Sequence, residues 1–238
     1  MPTTITVVLV HGAFAESSSW NGVLSRLLRG GVAAIATPNP LRSVTSDADN
    51  VRRAVENVGG PVLLVGHSYG GAVITEAAVG SAVVKGLVYV SAFAPEHGET
   101  SLGLTGQFPG STLGETIRPI ALADGSNDLI VDRELFPSQF AGDVPLGDAR
   151  IAGATQRAVR DYALGEPQPA ETSAWETLPS WFVFGSGDKN IPVSGLRFMA
   201  ERAGSLKTVE IPDASHSVMV SNPGAVAELI IEAITHLS

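Results

Sequence analysis

The stretch Pro61-Val62-Leu63-Leu64-Val65-Gly66-His67-Ser68-Tyr69-Gly70-Gly71-Ala72-Val73-Ile74 decides how this chain reads. Pro61–Val65 is a short apolar run, the pattern of a strand covered on both faces of a parallel sheet. Gly71–Ala78 is small and apolar all round, as a buried helix is. Between them Gly66-x-Ser68-x-Gly70 fits the G-x-S-x-G turn that joins strand to helix in a nucleophile elbow. The reason is steric: a serine held in a strained turn needs neighbours two residues away that lack side chains. Ser68 is therefore expected to raise its hydroxyl above the C-terminal edge of a sheet. A hydroxyl is a weak nucleophile at neutral pH and needs a base.

Outward from this turn, short apolar runs alternate with helical patterns. The runs are Ile5–Val10, Val32–Ala36, Val62–Val65, Leu87–Val90, Trp181–Phe184 and Thr208–Ile211. The helical patterns are Trp20–Leu28, Asp47–Asn57, Gly70–Val79, Ser194–Ala203 and Ala225–His236. Ser46-x-x-Asp49 reads as a capping pattern for the second of these. The order predicts an α/β fold with a six-stranded, mainly parallel, doubly wound sheet. Between about Ala94 and Pro179 the pattern breaks. No clear strand is visible there, and helical stretches near Asp128–Gln139 and Leu146–Leu164 are separated by Gly/Pro-rich turns. Such a stretch is too long for an ordinary connection. The expected organisation is a core from residues 1–93 and 180–238, with residues 94–179 inserted as a helical cap.

In this architecture the order is nucleophile, acid, histidine. His216 lies in Asp213-Ala214-Ser215-His216-Ser217, just past the last predicted strand, and is the expected base. Asp188 lies in Gly185-Ser186-Gly187-Asp188 after the penultimate strand and is the expected acid, holding the His216 tautomer. Asp213 competes for that role, but it stands three residues from His216 and needs a local loop conformation to reach the ring. Acyl transfer also needs backbone N–H groups aimed at the developing oxyanion. Tyr69, after the nucleophile, and Ala13, in the loop His11-Gly12-Ala13-Phe14 after the first strand, are the expected donors, with Phe14 as the alternative to Ala13. His11 is read as a brace for that loop. Candidate substrate-pocket residues are Gly12, Phe14 and Phe93 at the sheet edge, Phe108 and Phe136 in the insertion, and Met219 after the histidine.

Composition bounds the partners. The 238 residues carry 15 Lys plus Arg against 24 Asp plus Glu, a formal net charge of −9. With 44% hydrophobic and 16% charged residues the chain is a folding sequence. The longest basic cluster is the pair Arg52–Arg53, so nucleic acid is not an expected partner. No apolar run approaches the roughly 18 residues of a membrane span. The start, Met-Pro-Thr-Thr-Ile-Thr, lacks the positive segment of a secretory signal. Cysteine is absent and the five histidines are scattered, which removes thiolate chemistry and the usual metal-ligand spacings. No Walker loop is present, and Gly66-x-Ser68-x-Gly70-Gly71 fails G-x-G-x-x-G at its second glycine. No metal and no cofactor is expected, and a cytoplasmic location fits.

With these motifs in place the chain resembles the α/β-hydrolase superfamily over essentially its whole length. Val8-Leu9-Val10-His11-Gly12-Ala13, Gly66-His67-Ser68-Tyr69-Gly70-Gly71 and Val90-Ser91-Ala92-Phe93-Ala94-Pro95 are similar to the serine esterase branch that holds plant methyl-salicylate and methyl-jasmonate esterases and α/β-type hydroxynitrile lyases, in the style of a bacterial relative. The resemblance implies a Ser68–His216–Asp188 triad, a cofactor-free reaction and a helical cap over an apolar pocket. The lyases carry threonine after the first histidine and lysine after the catalytic one. Here those positions are Gly12 and Ser217, which favours ester hydrolysis. The plant esterases continue the first loop differently from Phe14-Ala15-Glu16-Ser17-Ser18-Ser19-Trp20, so a plant-like substrate does not follow. The expected activity is hydrolysis of small carboxylic esters or lactones, with a small-molecule ester as partner and homodimerisation left open. Carbon–carbon hydrolysis, perhydrolysis or cyanohydrin cleavage on the same triad, and ligand sensing without turnover, are the alternatives.

Overall fold

A computed structural model describes residues 5–238. The reading of the first residues as lacking a secretory signal rests largely on Met1–Thr4, which lie outside them. The chain opens β1 (Thr6–Val10), α1 (Asn21–Arg29), β2 (Ala34–Thr37), α2 (Val44–Val58), β3 (Val62–His67), α3 (Tyr69–Ala77) and β4 (Val84–Val90). A segment containing α4 (Ser101–Gln107), α5 (Leu113–Thr116), β5 (Ile117–Ala121), β6 (Asn127–Val131), α6 (Phe136–Phe140), α7 (Leu146–Thr155), β7 (Val159–Arg160) and α8 (Asp161–Gly165) follows. The chain closes with β8 (Ser180–Gly185), α9 (Val193–Arg202), β9 (Lys207–Ile211), α10 (Val218–Ser221) and α11 (Pro223–Leu237).

The main sheet has six strands in the order β2-β1-β3-β4-β8-β9, all parallel. Its central strands are apolar on both faces because helices cover both. Val8, Val10, Leu64, Leu87, Tyr89, Phe182 and Phe184 pack toward α2, α3 and α9. Their neighbours Val7, Leu9, Leu63, Val65, Val88, Val90, Trp181 and Val183 pack toward α1 and α11. This period of two splits one set of strands between two cores. The strand order reverses about β1, so the ends of β1 and β3 open the crevice where such sheets place their sites.

Two expectations are corrected. The α2 helix begins at Val44, and Ser43, not Ser46, is its N-cap: the Ser43 hydroxyl accepts from the Ser46 amide at 3.0 Å. The cause is tertiary. The Glu166 carboxylate accepts from the Val44 amide and, at 2.7 Å, from the Thr45 hydroxyl, which satisfies the helix start one turn earlier. The insertion is not purely helical. Strands β5, β6 and β7 form a three-stranded antiparallel sheet, and β6 occupies residues read as the start of a helix. Asp124-Gly125 is a hairpin signal that marked this turn, with Gly125 at φ +84. Pro119 and the flanking charges hide the apolar alternation on either side.

The strand ends pack closely. A Cβ on Gly185 would overlap the carbonyl oxygen of Ala214 and approach Ser215 O at 2.9 Å, so the turn after β8 lies against the loop after β9 only because residue 185 is glycine. Gly185→Ala is expected to cost about 3 kcal/mol in urea unfolding, through overpacking against backbone. Gly147 in α7 has nothing within 4 Å of such a Cβ, and Gly147→Ala is expected to change stability by less than about 1 kcal/mol.

Candidate active site

Ser68 ends the β3 turn with φ 53 and ψ −125. A non-glycine residue in that half of conformational space costs of order 1–3 kcal/mol and persists only where its surroundings hold it. They do. The Ser68 amide donates to Val90 O at 3.2 Å, and its carbonyl accepts from Gly71 N at 2.9 Å and Phe93 N at 3.2 Å. A Cβ on Gly66 would sit 2.5 Å from Gly70 O, and one on Gly70 would sit 2.7 Å from Val10 O. A Cβ on Gly12 would sit 2.6 Å from the Cβ of Ser68, so the loop after β1 reaches Ser68 through a glycine.

His216 and Asp188 meet across the ends of β9 and β8. His216 Nδ1–H donates to Asp188 Oδ2 at 2.6 Å, with both side chains buried. The other carboxylate oxygen accepts from the amides of Asn190 at 2.8 Å and Ile191 at 3.0 Å. Two backbone donors thus orient the carboxylate, and the carboxylate fixes the imidazole tautomer. His216 Nε2 is left as an acceptor, buried and without a hydrogen-bond partner among the described residues. Asp213 is exposed at φ 57 and has no hydrogen bond to His216; its amide donates to Ser186 Oγ at 2.8 Å.

The loop after β1 is braced as expected. His11 Nδ1–H donates to Gly12 O at 3.0 Å, its Nε2 accepts from Asn39 N at 3.0 Å, and Asn39 Nδ2 donates to His11 O at 2.9 Å. Burial lowers the His11 pKa. Phe14 takes φ 60 and turns the loop. The amides of Ala13 and Tyr69 have no protein acceptor among the described residues, and both residues line one cavity with Ser68 and His216.

Two contributors were not singled out from sequence. His67 Nε2–H donates to His216 O at 3.1 Å, and the two rings stand 4.7 Å apart. Burial, and then the neighbouring His216, push the His67 pKa well below 6.5. Asp47 on α2 accepts from the Tyr69 hydroxyl at 3.0 Å and from the Arg42 amide at 3.1 Å. The histidine sat inside the elbow motif; nothing in the sequence marked Asp47.

The cavity beside Ser68 has a volume of about 290 Å³. Phe14 and Phe93 line it, and Gly12 lies against Ser68. Phe108, Phe136 and Met219 do not. Phe108 packs on Gly195 and on Phe198, ring to ring at 5.4 Å. Phe136 stacks on Phe140 at 4.8 Å and, with Met219, borders a second cavity of about 420 Å³. Phe14 and Phe140 stand between the two cavities. The walls missed from sequence are Leu102, Leu113, Ile117 and Leu164, all from the insertion. Among the described residues no cluster of three or more His, Asp or Glu is arranged to hold a metal ion, and no helix is long and apolar enough to cross a membrane.

A parallel sheet with this strand order, a strained serine after β3 and a histidine–aspartate pair after the last two strands define a class. Residues 7–229 match the family described as "Alpha/beta hydrolase family", and the chain belongs to it. Hydrolase is the class that this membership supports. An α/β hydrolase of Aspergillus novofumigatus is 27% identical over 95% of each chain. An α-hydroxynitrile lyase of Arabidopsis thaliana is 23% identical over 91% of this chain and 92% of its own. The crystal structure of polyneuridine aldehyde esterase superposes with a TM-score of 0.81 at 18% identity, covering 97% of this chain and 99% of that one.

The buried histidines carry a stability signature. Both His11 and His67 are held below 6.5 in the folded protein. The unfolded chain binds protons there that the folded chain refuses, so stability falls as pH drops through about 6.5. Urea midpoints are expected to decrease between pH 7.5 and 5.5, and His67→Gln is expected to weaken that dependence.

Proposed function

We propose that this protein is a serine hydrolase of small carboxylic esters, lactones included. The observation that carries the reading is the placement of His216 between Asp188, at 2.6 Å, and the cavity that holds Ser68, with Nε2 free to accept a proton. The Ser68 hydroxyl attacks the ester carbonyl as His216 Nε2 takes its proton. The Ala13 and Tyr69 amides donate to the oxyanion. His216 then protonates the departing alcohol, leaving an acyl group on Ser68. A water activated by the same nitrogen releases the acid. Residues 94–179 act as the cap that excludes solvent from this chemistry.

An esterase among the structural relatives agrees with this reading, and a lyase stands among the sequence relatives. Ser217, where the lyases carry lysine, has its hydroxyl engaged with Phe140 O at 2.9 Å, which favours hydrolysis over cyanohydrin cleavage.

The test is hydrolysis of p-nitrophenyl esters from acetate to laurate. Wild type is expected to turn over, with an optimum at short or medium chains. Ser68→Ala, His216→Ala and Asp188→Asn are each expected to lower kcat by about a thousandfold or more, because the three act as a unit. Tight ligand binding without turnover by wild type would overturn the reading.

A further inference from the structure

Three residues lining the Ser68 cavity carry buried side-chain polar atoms without a partner among the described residues: His216 Nε2, Ser101 Oγ and Asn190 Nδ2. The first has a role as the base. The other two have none in ester hydrolysis. A buried donor left unpaired costs about 1–3 kcal/mol, and native proteins keep few of them without a use.

The free atom of Asn190 is fixed by a chain of neighbours. Gln139 Oε1 accepts from the Thr112 hydroxyl at 2.9 Å, and Gln139 Nε2 donates to Lys189 O at 3.0 Å. A backbone carbonyl only accepts, so the amide nitrogen of Gln139 faces it. That same nitrogen donates to Asn190 Oδ1 at 2.9 Å. Asn190 therefore presents Oδ1 to Gln139 and keeps two N–H donors on Nδ2 unmatched. Asn190 is 2% exposed and Ser101 is 4% exposed.

Two neighbouring hydroxyls are engaged. Thr105, one turn along α4 from Ser101, donates to Ser101 O at 2.9 Å. Ser111 donates to Asn190 O at 2.8 Å. Ser101 comes from the insertion and Asn190 from the core, so the two unpaired groups belong to opposite sides of the seam that forms the cavity. The remaining wall is mainly apolar, with Phe14, Phe140, Leu113, Ile117 and Leu129. An apolar cavity with two placed polar groups selects a ligand that is mostly hydrocarbon with a polar atom at one position.

We propose that the ester this site takes carries a second oxygen acceptor, an ether, keto or hydroxyl oxygen, on the chain lodged in the cavity, and that Asn190 Nδ2 and Ser101 Oγ hold it. The substrate class is thus an oxygen-bearing ester rather than a plain fatty acyl ester. This rests on the esterase reading above and narrows it.

The experiment compares matched esters: an all-carbon chain and isosteres with one ether or keto oxygen walked along it, in one series on the acid and in another on the alcohol. For wild type, one oxygen position is expected to raise kcat/KM about tenfold over the carbon isostere. That ratio is expected to collapse toward one in Asn190→Leu and in Ser101→Ala. Ser101→Ala removes a single oxygen, so it serves if Asn190→Leu fails to fold. Dissociation constants of the same esters on Ser68→Ala give the same ratio without chemistry. Hydrolysis of every ester with no oxygen preference would overturn this proposal and leave the esterase reading standing. A preference that persists in both variants would overturn it too. No hydrolysis, with the binding ratio intact on Ser68→Ala, would sink the esterase reading and keep the recognition; no hydrolysis and no ratio would sink both.

Discussion

Four strand ends bring their loops together at separations that only hydrogen at Cα permits, and the arrangement around Ser68 follows from that. Gly12 lets the loop after β1 touch Ser68, Gly66 and Gly70 let the chain reverse beneath it, and Gly185 lets the turn after β8 lie on the loop after β9. A methyl at any of these positions would meet backbone or Ser68 itself, which cannot yield as the tip of a flexible side chain can. The close approach has a chemical consequence. It sets Asp188 against His216 and brings Ala13 and Tyr69 to the lining of the cavity beside Ser68. For the reaction proposed above, groups held in place in this way would need no rearrangement as charge develops.

The second determinant is how the insertion is fastened. Arg42, in the core, pairs with Asp128 of β6 at 2.6 Å and donates to Ala158 O at 2.8 Å, and Arg160 N donates to Leu41 O at 2.9 Å. Glu166 completes the start of α2, and Gln168 donates to Glu76 Oε2 at 3.2 Å. An exposed ion pair alone contributes little. These contacts are part-buried and reach backbone donors and acceptors, so they fix the register of the insertion against the sheet. Arg42 also donates its amide to Asp47, which in turn receives the Tyr69 hydroxyl. The docking of the insertion and the seat of Tyr69 are therefore joined by one continuous set of hydrogen bonds.

Three buried histidines within this edge behave differently because their partners differ. His11 is satisfied at both nitrogens by backbone and stiffens a loop. His67 donates to the carbonyl of His216 and is held neutral by burial. His216 alone faces a carboxylate at one nitrogen and open cavity at the other. Which groups face its two nitrogens decides what each of these histidines can do.

The sequence by itself determined the sheet and the strained turn at Ser68, and it put Asp188 and His216 at strand ends that meet at the candidate site. Strands covered on both faces must be apolar on both, and a strained serine must be flanked by glycines, so Val62–Val65 and Gly66–Gly70 carried their meaning locally. The positions of Asp188 and His216 were readable because each follows a strand whose end lies at the same edge. What lies between β4 and β8 was not readable in the same way. Its short strands β5, mostly exposed, and β6, half-buried, are interrupted by Pro119 and charged residues, so their alternation is weak even though Asp124-Gly125 marks the turn between them. The cavity wall was hidden for a related reason: residue type and nearness in sequence point to Phe108, Phe136 and Met219, which do not line it. Only the docking of the insertion decided that Leu113, Ile117, Leu129 and Leu164 would form the wall. The same holds for Asp47 beneath Tyr69, Glu166 at the start of α2, and the unmatched donors of Asn190. Each depends on contacts between residues far apart in the chain, and no local spacing records which of them will meet.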